Sequence, residues 1–169
     1  YDYAQSGVSY LHLNTDSGVL ADAKVREALA YAIDRDEVVK ALDDMVTPAY
    51  GFISEAQACY SADEEAALAK KLAYDPDKSK SLLEGAGWKA NSDGIMEKNG
   101  TKLSFELLVP GDRTSIKNAA PVIQKQLKAV GFDAKITEQD ASYIKSKVKD
   151  DDYAAACRNY VWLDPDILY

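Results

Sequence analysis

The stretch Asp22-Ala23-Lys24-Val25-Arg26-Glu27-Ala28-Leu29-Ala30-Tyr31-Ala32-Ile33-Asp34-Arg35-Asp36 decides how the rest of the chain is read. Val25, Leu29, Ala32 and Ile33 recur at the spacing of one helical face, with Ala28 between them. Asp22 stands where a carboxylate can accept a backbone N–H that the first helical turn leaves unpaired. The opposite face is charged, with Lys24, Arg26, Glu27, Asp34, Arg35, Asp36 and Glu37. This is an amphipathic helix made to pack on a sheet, and it is expected to run on to about Leu42. Just before it, Val8–Asn14 alternates as a strand, with Leu11 and Leu13 on one face and Tyr10 and His12 on the other.

Further along, turn and cap signals divide the chain. Asp43–Tyr60 contains Pro48 and Gly51 and no clean period, so it reads as a long surface loop. Ser61 followed by Glu64 is a capping-box pattern opening a helix to Leu72. Asp75-Pro76 opens another, with proline at the first helical position, and Gly87 closes it. Asn99-Gly100 between Ile95–Lys98 and Thr101–Val109 predicts a hairpin with a type I′ turn. Thr114–Val130 is a helix stopped by Gly131, Phe132–Thr137 a strand, Ala141–Lys149 a lysine-rich helix and Tyr153–Trp162 a final strand. Strands interleaved with helices indicate an α/β (mixed α+β) layer fold, with helices packed on a mixed sheet. Residues 1–169 read as a single domain.

Composition narrows the function. Asp plus Glu number 28 and Lys plus Arg 20, a net charge of −8. That balance disfavours nucleic acid or an anionic membrane as partner. One histidine, His12, makes a zinc site or a histidine-based triad improbable, and no cofactor is expected. No Gly-x-Ser-x-Gly elbow, Walker loop or Cys-x-x-Cys occurs. Gly85-Ala86-Gly87 ends a helix instead of linking strand to helix, so it is not a dinucleotide fingerprint. Cys59 and Cys157 permit a disulfide without requiring one. At the chain's end, Trp162 and Asp164-Pro165 follow a strand. A carboxylate there suits a ligand ammonium group, and an indole suits apolar or cation–π contact; a turn or helix cap is the structural alternative.

Five stretches together resemble the bacterial extracellular solute-binding proteins of family 5, the receptors of peptide, oligopeptide and nickel ABC transporters. They are Tyr10–Thr15 with Leu20–Leu29 and Ala32-Ile33-Asp34-Arg35, then Tyr74-Asp75-Pro76-Asp77-Lys78-Ser79-Lys80-Ser81-Leu82-Leu83, Gly85-Ala86-Gly87-Trp88, the helix ending in Ala120–Gly131, and Trp162-x-Asp164-Pro165. The resemblance implies one lobe of a two-lobe, periplasmic-binding-protein-like receptor that closes on its ligand about a hinge. The chain, which begins at Tyr1 without an initiator Met or signal peptide, reads as the excised second lobe, with the first lobe missing. The implied partners are a peptide or other small solute, that first lobe, and an ABC permease. The implied location is the extracellular face of the membrane or the periplasm, as a lipoprotein or secreted receptor, and the implied activity is capture without catalysis. The ligand-binding residues carried over are Asp164, facing the α-amino group of a peptide, and Trp162 as a cleft wall. Asn14 is added because its strand end is expected near the hinge, and Arg113 because a loop after a core strand can reach the cleft. A capping asparagine and a solvated arginine are the alternatives for those two. A nickel or metal-chelate receptor of the same family, and an unrelated α/β enzyme, are the competing readings. The Asp43–Tyr60 loop is expected to expose an apolar patch around Met45, Tyr50, Phe52 and Ile53 for contact with the missing lobe or the permease.

Overall fold

A computed structural model of the chain describes residues 7–42, 46–57 and 59–161. Four strands make the main sheet: β1 (Gly7–Leu13), β5 (Ser104–Pro110), β6 (Asp133–Gln139) and β7 (Ala155–Val161), in the order β1-β7-β5-β6. β5 pairs in parallel with both β6 and β7, while β1 runs antiparallel to β7. Parallel neighbours need long crossovers. Two helices supply them: α5 (Thr114–Ala129) carries β5 to β6, and α6 (Ala141–Lys149) carries β6 to β7. The last strand thus inserts between the first and β5, and its end, Val161, lies opposite Gly7.

One face of this sheet holds the main core. α1 (Ala23–Ala32), α4 (Pro76–Gly85) and α5 pack on it, burying Val25, Leu29, Leu83, Leu107, Val109, Leu127 and Phe132. Leu11 and Leu13 point into this core, as their alternation predicts. Ser79 is fully buried in α4 and donates to the Ala28 carbonyl of α1 at 2.8 Å, so the helix contact is polar but satisfied. The N-caps read from the sequence are in place. Asp22 accepts from the Lys24 N–H, Ser61 from Glu64 at the start of α3 (Ala62–Lys71), and Asp75 from Lys78 with Pro76 first in its helix.

The helix expected from Asp22 to about Leu42 is broken. α1 stops at Ala32, and a short α2 (Arg35–Lys40) starts after an extended Ile33 and Asp34. The cause is a polar clamp from α5. Gln126, 6 % exposed, accepts the Asp34 N–H through Oε1, and its Nε2 donates to the Asp34 carbonyl and to Glu37. The Asp34 carboxylate then caps α2 by accepting the Asp36 and Glu37 N–H groups. Asp34→Ala is therefore expected to lose about 1–2 kcal/mol in urea unfolding, the ordinary worth of a helix cap, while Asp34→Asn keeps most of it. Equal losses for the two variants would show that the cap is not what sets the break.

The expected strand Thr101–Val109 is also divided. Asn99 and Gly100 both have positive φ, as a type I′ turn demands, and join β3 (Met96–Lys98) to β4 (Thr101–Lys102). With β2 (Lys89–Ala90), absent from the sequence reading, these form a separate three-stranded sheet. Leu103, fully buried, is the joint between the sheets. Its N–H bonds to Met96 and its carbonyl accepts from Asp133, after which β5 enters the main sheet.

Candidate functional site

The carboxyl ends of the parallel strands lie at one end of the main sheet, where open α/β sheets place their ligands. Pro110 of β5 is level with Gln139 of β6, and Gly111 donates to the Gln139 carbonyl at 3.0 Å. β7 runs past them to Val161, beside the start of β1. Arg113 sits here, exposed, as the N-cap residue of α5, with Lys117 one turn on paired to Glu138 at 2.8 Å. Trp162 and Asp164 lie outside the described residues.

Asn14 is not brought to this place. It follows the other end of β1, seven residues from Gly7, a span of about 23 Å at strand rise. Its side chain is spent on the fold. Nδ2 donates to the carbonyls of Asp151 and Tyr153, and Oδ1 accepts the Asp16 N–H. Its backbone N–H bonds to Ala154, and the residue is 4 % exposed. Asn14 therefore holds the turn between α6 and β7, in which Asp151 adopts a positive φ of 54°. Asn14 was expected near the hinge; β1 enters beside the carboxyl end of β7, so its Asn-Thr end lies at the opposite end of the sheet from Gly7 and Val161.

The second face of the sheet is only partly covered. α6 packs Ile144 and Val148 on Leu108 and Ala156. Beyond α6, β1 and β7 present Tyr10 opposite Arg158 and His12 opposite Ala156. Antiparallel partners share a face, so these side chains form one surface. The His12 ring lies 6.1 Å from Tyr10 and 5.4 Å from Tyr153. Among the described residues Arg158 makes no ion pair. Partial burial, and then the Arg158 charge, hold the His12 imidazole below its ordinary pKa, against a smaller pull from Asp151. A hollow of about 280 Å³ lies beyond Tyr153 on this face, lined by Ser17, Glu106, Tyr143 and Lys147 among others. Nothing in the sequence singled out Arg158. Its pairing with Tyr10 links residues 148 apart in the chain, and no local pattern announces it.

The loop between α2 and α3 reaches the same surface. Glu65 accepts the N–H groups of Tyr50 and Gly51, and the Arg35 guanidinium lies 4.4 Å over the Tyr50 ring. Fixed in this way, the loop lays Phe52 edge-on against Tyr10 at 5.2 Å, with half of Phe52 still exposed. Of the apolar patch expected on this loop, Met45 falls outside the described residues, Phe52 is exposed, and Tyr50 and Ile53 are half-buried.

Cys59 is exposed, Cys157 is buried, and both are free thiols. Burial pushes Cys157 up to about 12, so it is a poor nucleophile at neutral pH. No group of three or more His, Cys, Asp or Glu placed to hold a metal occurs among the described residues. None of the helices among them is long and apolar enough to cross a membrane.

Comparison with known proteins places this geometry. The chain is 35% identical over 128 residues to the oligopeptide-binding protein AppA of Bacillus subtilis, covering 75% of this chain and 23% of that protein. It is 35% identical over 144 residues to the nickel-binding periplasmic protein of Escherichia coli, covering 83% of this chain and 26% of that one. It thus spans about a quarter of the length of these relatives. The crystal structure of Bacillus subtilis AppA in complex with a nonapeptide superposes with a TM-score of 0.84 at 29% identity, covering 94% of this chain and 32% of that one. The α/β layers, the order of the elements and a family profile matching residues 1–168 agree: the chain belongs to the bacterial extracellular solute-binding proteins, family 5 (middle).

Proposed function

We propose that this chain is one lobe of a two-lobe ABC-importer receptor that captures peptides outside the cytoplasmic membrane and presents them to a permease. The observation that carries the reading is the pairing of Gly7 with Val161. The start of β1 and the end of β7 meet at the carboxyl end of the sheet, the end at which Arg113 precedes α5, and a second lobe closing there would cover a ligand. The kinship with oligopeptide- and dipeptide-binding proteins supports a peptide as that ligand. In this reading Asp164 pairs with the peptide's α-amino group, Trp162 walls the cleft, and Arg113 and Arg158 offer cations to carboxylates. Tyr10 and Phe52 give an aromatic wall for apolar side chains. Capture of this kind involves no bond-making step, and none of the residues is assigned a catalytic role.

Calorimetry with the receptor in its full-length form tests it. Asp164→Ala is expected to weaken binding of short peptides by roughly 30- to 1,000-fold, the cost of leaving one partner of a buried, charge-assisted pair alone. Unchanged peptide affinity would remove Asp164 from the site. Similarity to the nickel-binding periplasmic protein favours a metal chelate as the second reading. Binding of a nickel–histidine chelate with no response to any peptide would replace the first reading by the second.

A further inference from the structure

We propose that Glu65 and Arg35 are positioning residues for capture: they hold the strap of residues 46–57 so that Phe52 stands on Tyr10 as a wall for apolar ligand side chains. The inference rests on the reading that this face meets a captured peptide, and it adds what sets the wall in place.

Phe52 has little of its own to hold it. Half of it is exposed, and its ring meets β1 edge-on at Tyr10, with centroids 5.2 Å apart. One such contact is too weak to order a loop against its conformational entropy. The order comes from the two residues before it. The Glu65 carboxylate accepts the Tyr50 N–H at 2.6 Å through Oε1 and the Gly51 N–H at 2.9 Å through Oε2. These are charge-assisted bonds to two successive amides. Gly51 leaves room for them, since a Cβ there would stand 2.9 Å from the same Oε2. Beyond Phe52 the strap bonds to itself. The Ser54 N–H donates to Oε1 of the buried Gln57, and the Gln57 N–H donates to the Ser54 carbonyl, both at 2.9 Å. Phe52 is thus carried between a gripped pair of amides and a self-closed turn.

The grip itself needs an anchor, because Glu65 lies on α3, a helix with no buried residue. Arg35 supplies it. Its guanidinium lies 4.4 Å over the Tyr50 ring, and its Nη1 is buried without a hydrogen-bond partner. A buried N–H without a partner is costly to keep, and the cation–π contact is what that placement secures. Arg35 opens α2 directly after Asp34, whose N–H and carbonyl are both held by Gln126 of α5. A line of contacts therefore runs from the core through Gln126, Asp34 and Arg35 to Tyr50, and so to Phe52. The Tyr31 hydroxyl, which donates to the Lys71 carbonyl at 3.1 Å, ties down the far end of α3. Truncating Glu65 frees the strap while the core beneath it stays packed, so the loss falls on ligands that use the wall.

Calorimetry and hydrogen exchange on the full-length receptor test this, with trialanine and trileucine as probes. The two peptides have the same termini, and only trileucine has side chains large enough to gain from an aromatic wall. Glu65→Ala is expected to weaken trileucine by roughly 5- to 30-fold and trialanine by about twofold or less. Glu65→Gln, with one acceptor oxygen for two N–H groups, should fall between. Gly51→Ala, which pushes the carboxylate away and changes no charge, should reproduce Glu65→Ala, and Arg35→Gln should shift the preference in the same direction. Adding Glu65→Ala to Phe52→Ala should cost trileucine nothing further, because the two act through one ring. Without peptide, the amides of residues 46–57 should exchange at least about fivefold faster in Glu65→Ala, while those of β5 and α5 keep their rates. Additive losses, a trileucine preference unchanged in Glu65→Ala, or equal wild-type affinities for the two peptides overturn the inference. So does strap exchange that ignores Glu65→Ala, or exchange that quickens equally in β5 and α5, which would make Glu65 a residue of global stability. A wild-type receptor that binds neither peptide overturns the capture reading and this inference with it; the exchange arm, which needs no peptide, tells that failure from failure of the grip.

Discussion

Phe132→Ala is expected to destabilise the chain by about 3–5 kcal/mol, the cost of emptying a fully packed aromatic site in a core. Phe132 has no exposed surface. Its ring meets Phe105 edge-to-face, with centroids 6.3 Å apart and planes at 82°, an arrangement that aromatic quadrupoles favour. Its backbone is held as well, since its N–H bonds to the Leu127 carbonyl at the end of α5. Phe132 therefore joins α5, β5 and the start of β6 at one point, and the cavity cannot close without moving one of them. A loss of that size is about a fifth or more of the roughly 5–15 kcal/mol that holds a typical domain together. At about 2–4 °C per kcal/mol for a chain of this length, the unfolding midpoint should fall by roughly 6–20 °C. Phe132→Leu, which keeps most of the volume, should cost less than about 1.5 kcal/mol. Urea titrations of the two variants check this. A Phe132→Ala loss under about 1 kcal/mol would mean that the ring is not the keystone described.

Gly131→Ala should be nearly as damaging, at about 2–4 kcal/mol, for two separable reasons. The first is backbone strain, since Gly131 has φ +97°, where an L side chain is rarely accommodated. The second is contact. A Cβ there would stand 2.6 Å from Met96 Cγ and 3.2 Å from the Met96 backbone nitrogen. That nitrogen donates to the Gly131 carbonyl at 2.8 Å, so relief of the clash disturbs the bond that ties β3 to the end of α5. A double-mutant cycle tells the two apart. Met96→Ala removes the Cγ and should recover part of the Gly131→Ala loss, leaving the φ strain. Strict additivity of the two changes would exclude the Met96 contact as a cause.

Much of the fold is legible along the chain because its signals are local. Asp22, Ser61 and Asp75 cap the helices they precede, and a cap needs only residues two or three positions on. Asn99-Gly100 takes its type I′ turn, and Gly131 stops α5, for equally short-range reasons. The break at Ile33-Asp34 was not legible. It depends on Gln126, 92 residues away, whose amide holds both the N–H and the carbonyl of Asp34. The split at Leu103 likewise depends on Asp133 and Met96 drawing its carbonyl and N–H toward different sheets.

The candidate site divides along the same line. Local wording pointed to Trp162 and Asp164 and to the family, and Arg113 was chosen because it follows a core strand; in the structure it is the N-cap residue of α5, just past the carboxyl end of β5. Asn14 was drawn in by its wording, and the fold uses it to hold the turn before β7.

By itself, then, the sequence determined most of the elements, the caps and turns of those elements, and the family, because helix periodicity, capping and turn chemistry act over a few residues. Only the tertiary structure decided which strand ends lie together, that β7 enters between β1 and β5, and that Tyr10, His12 and Arg158 share one surface. Those are matters of strand order and register. Register is settled by hydrogen bonds and burial between residues some 150 positions apart, and such contacts leave no periodic trace in the chain that makes them.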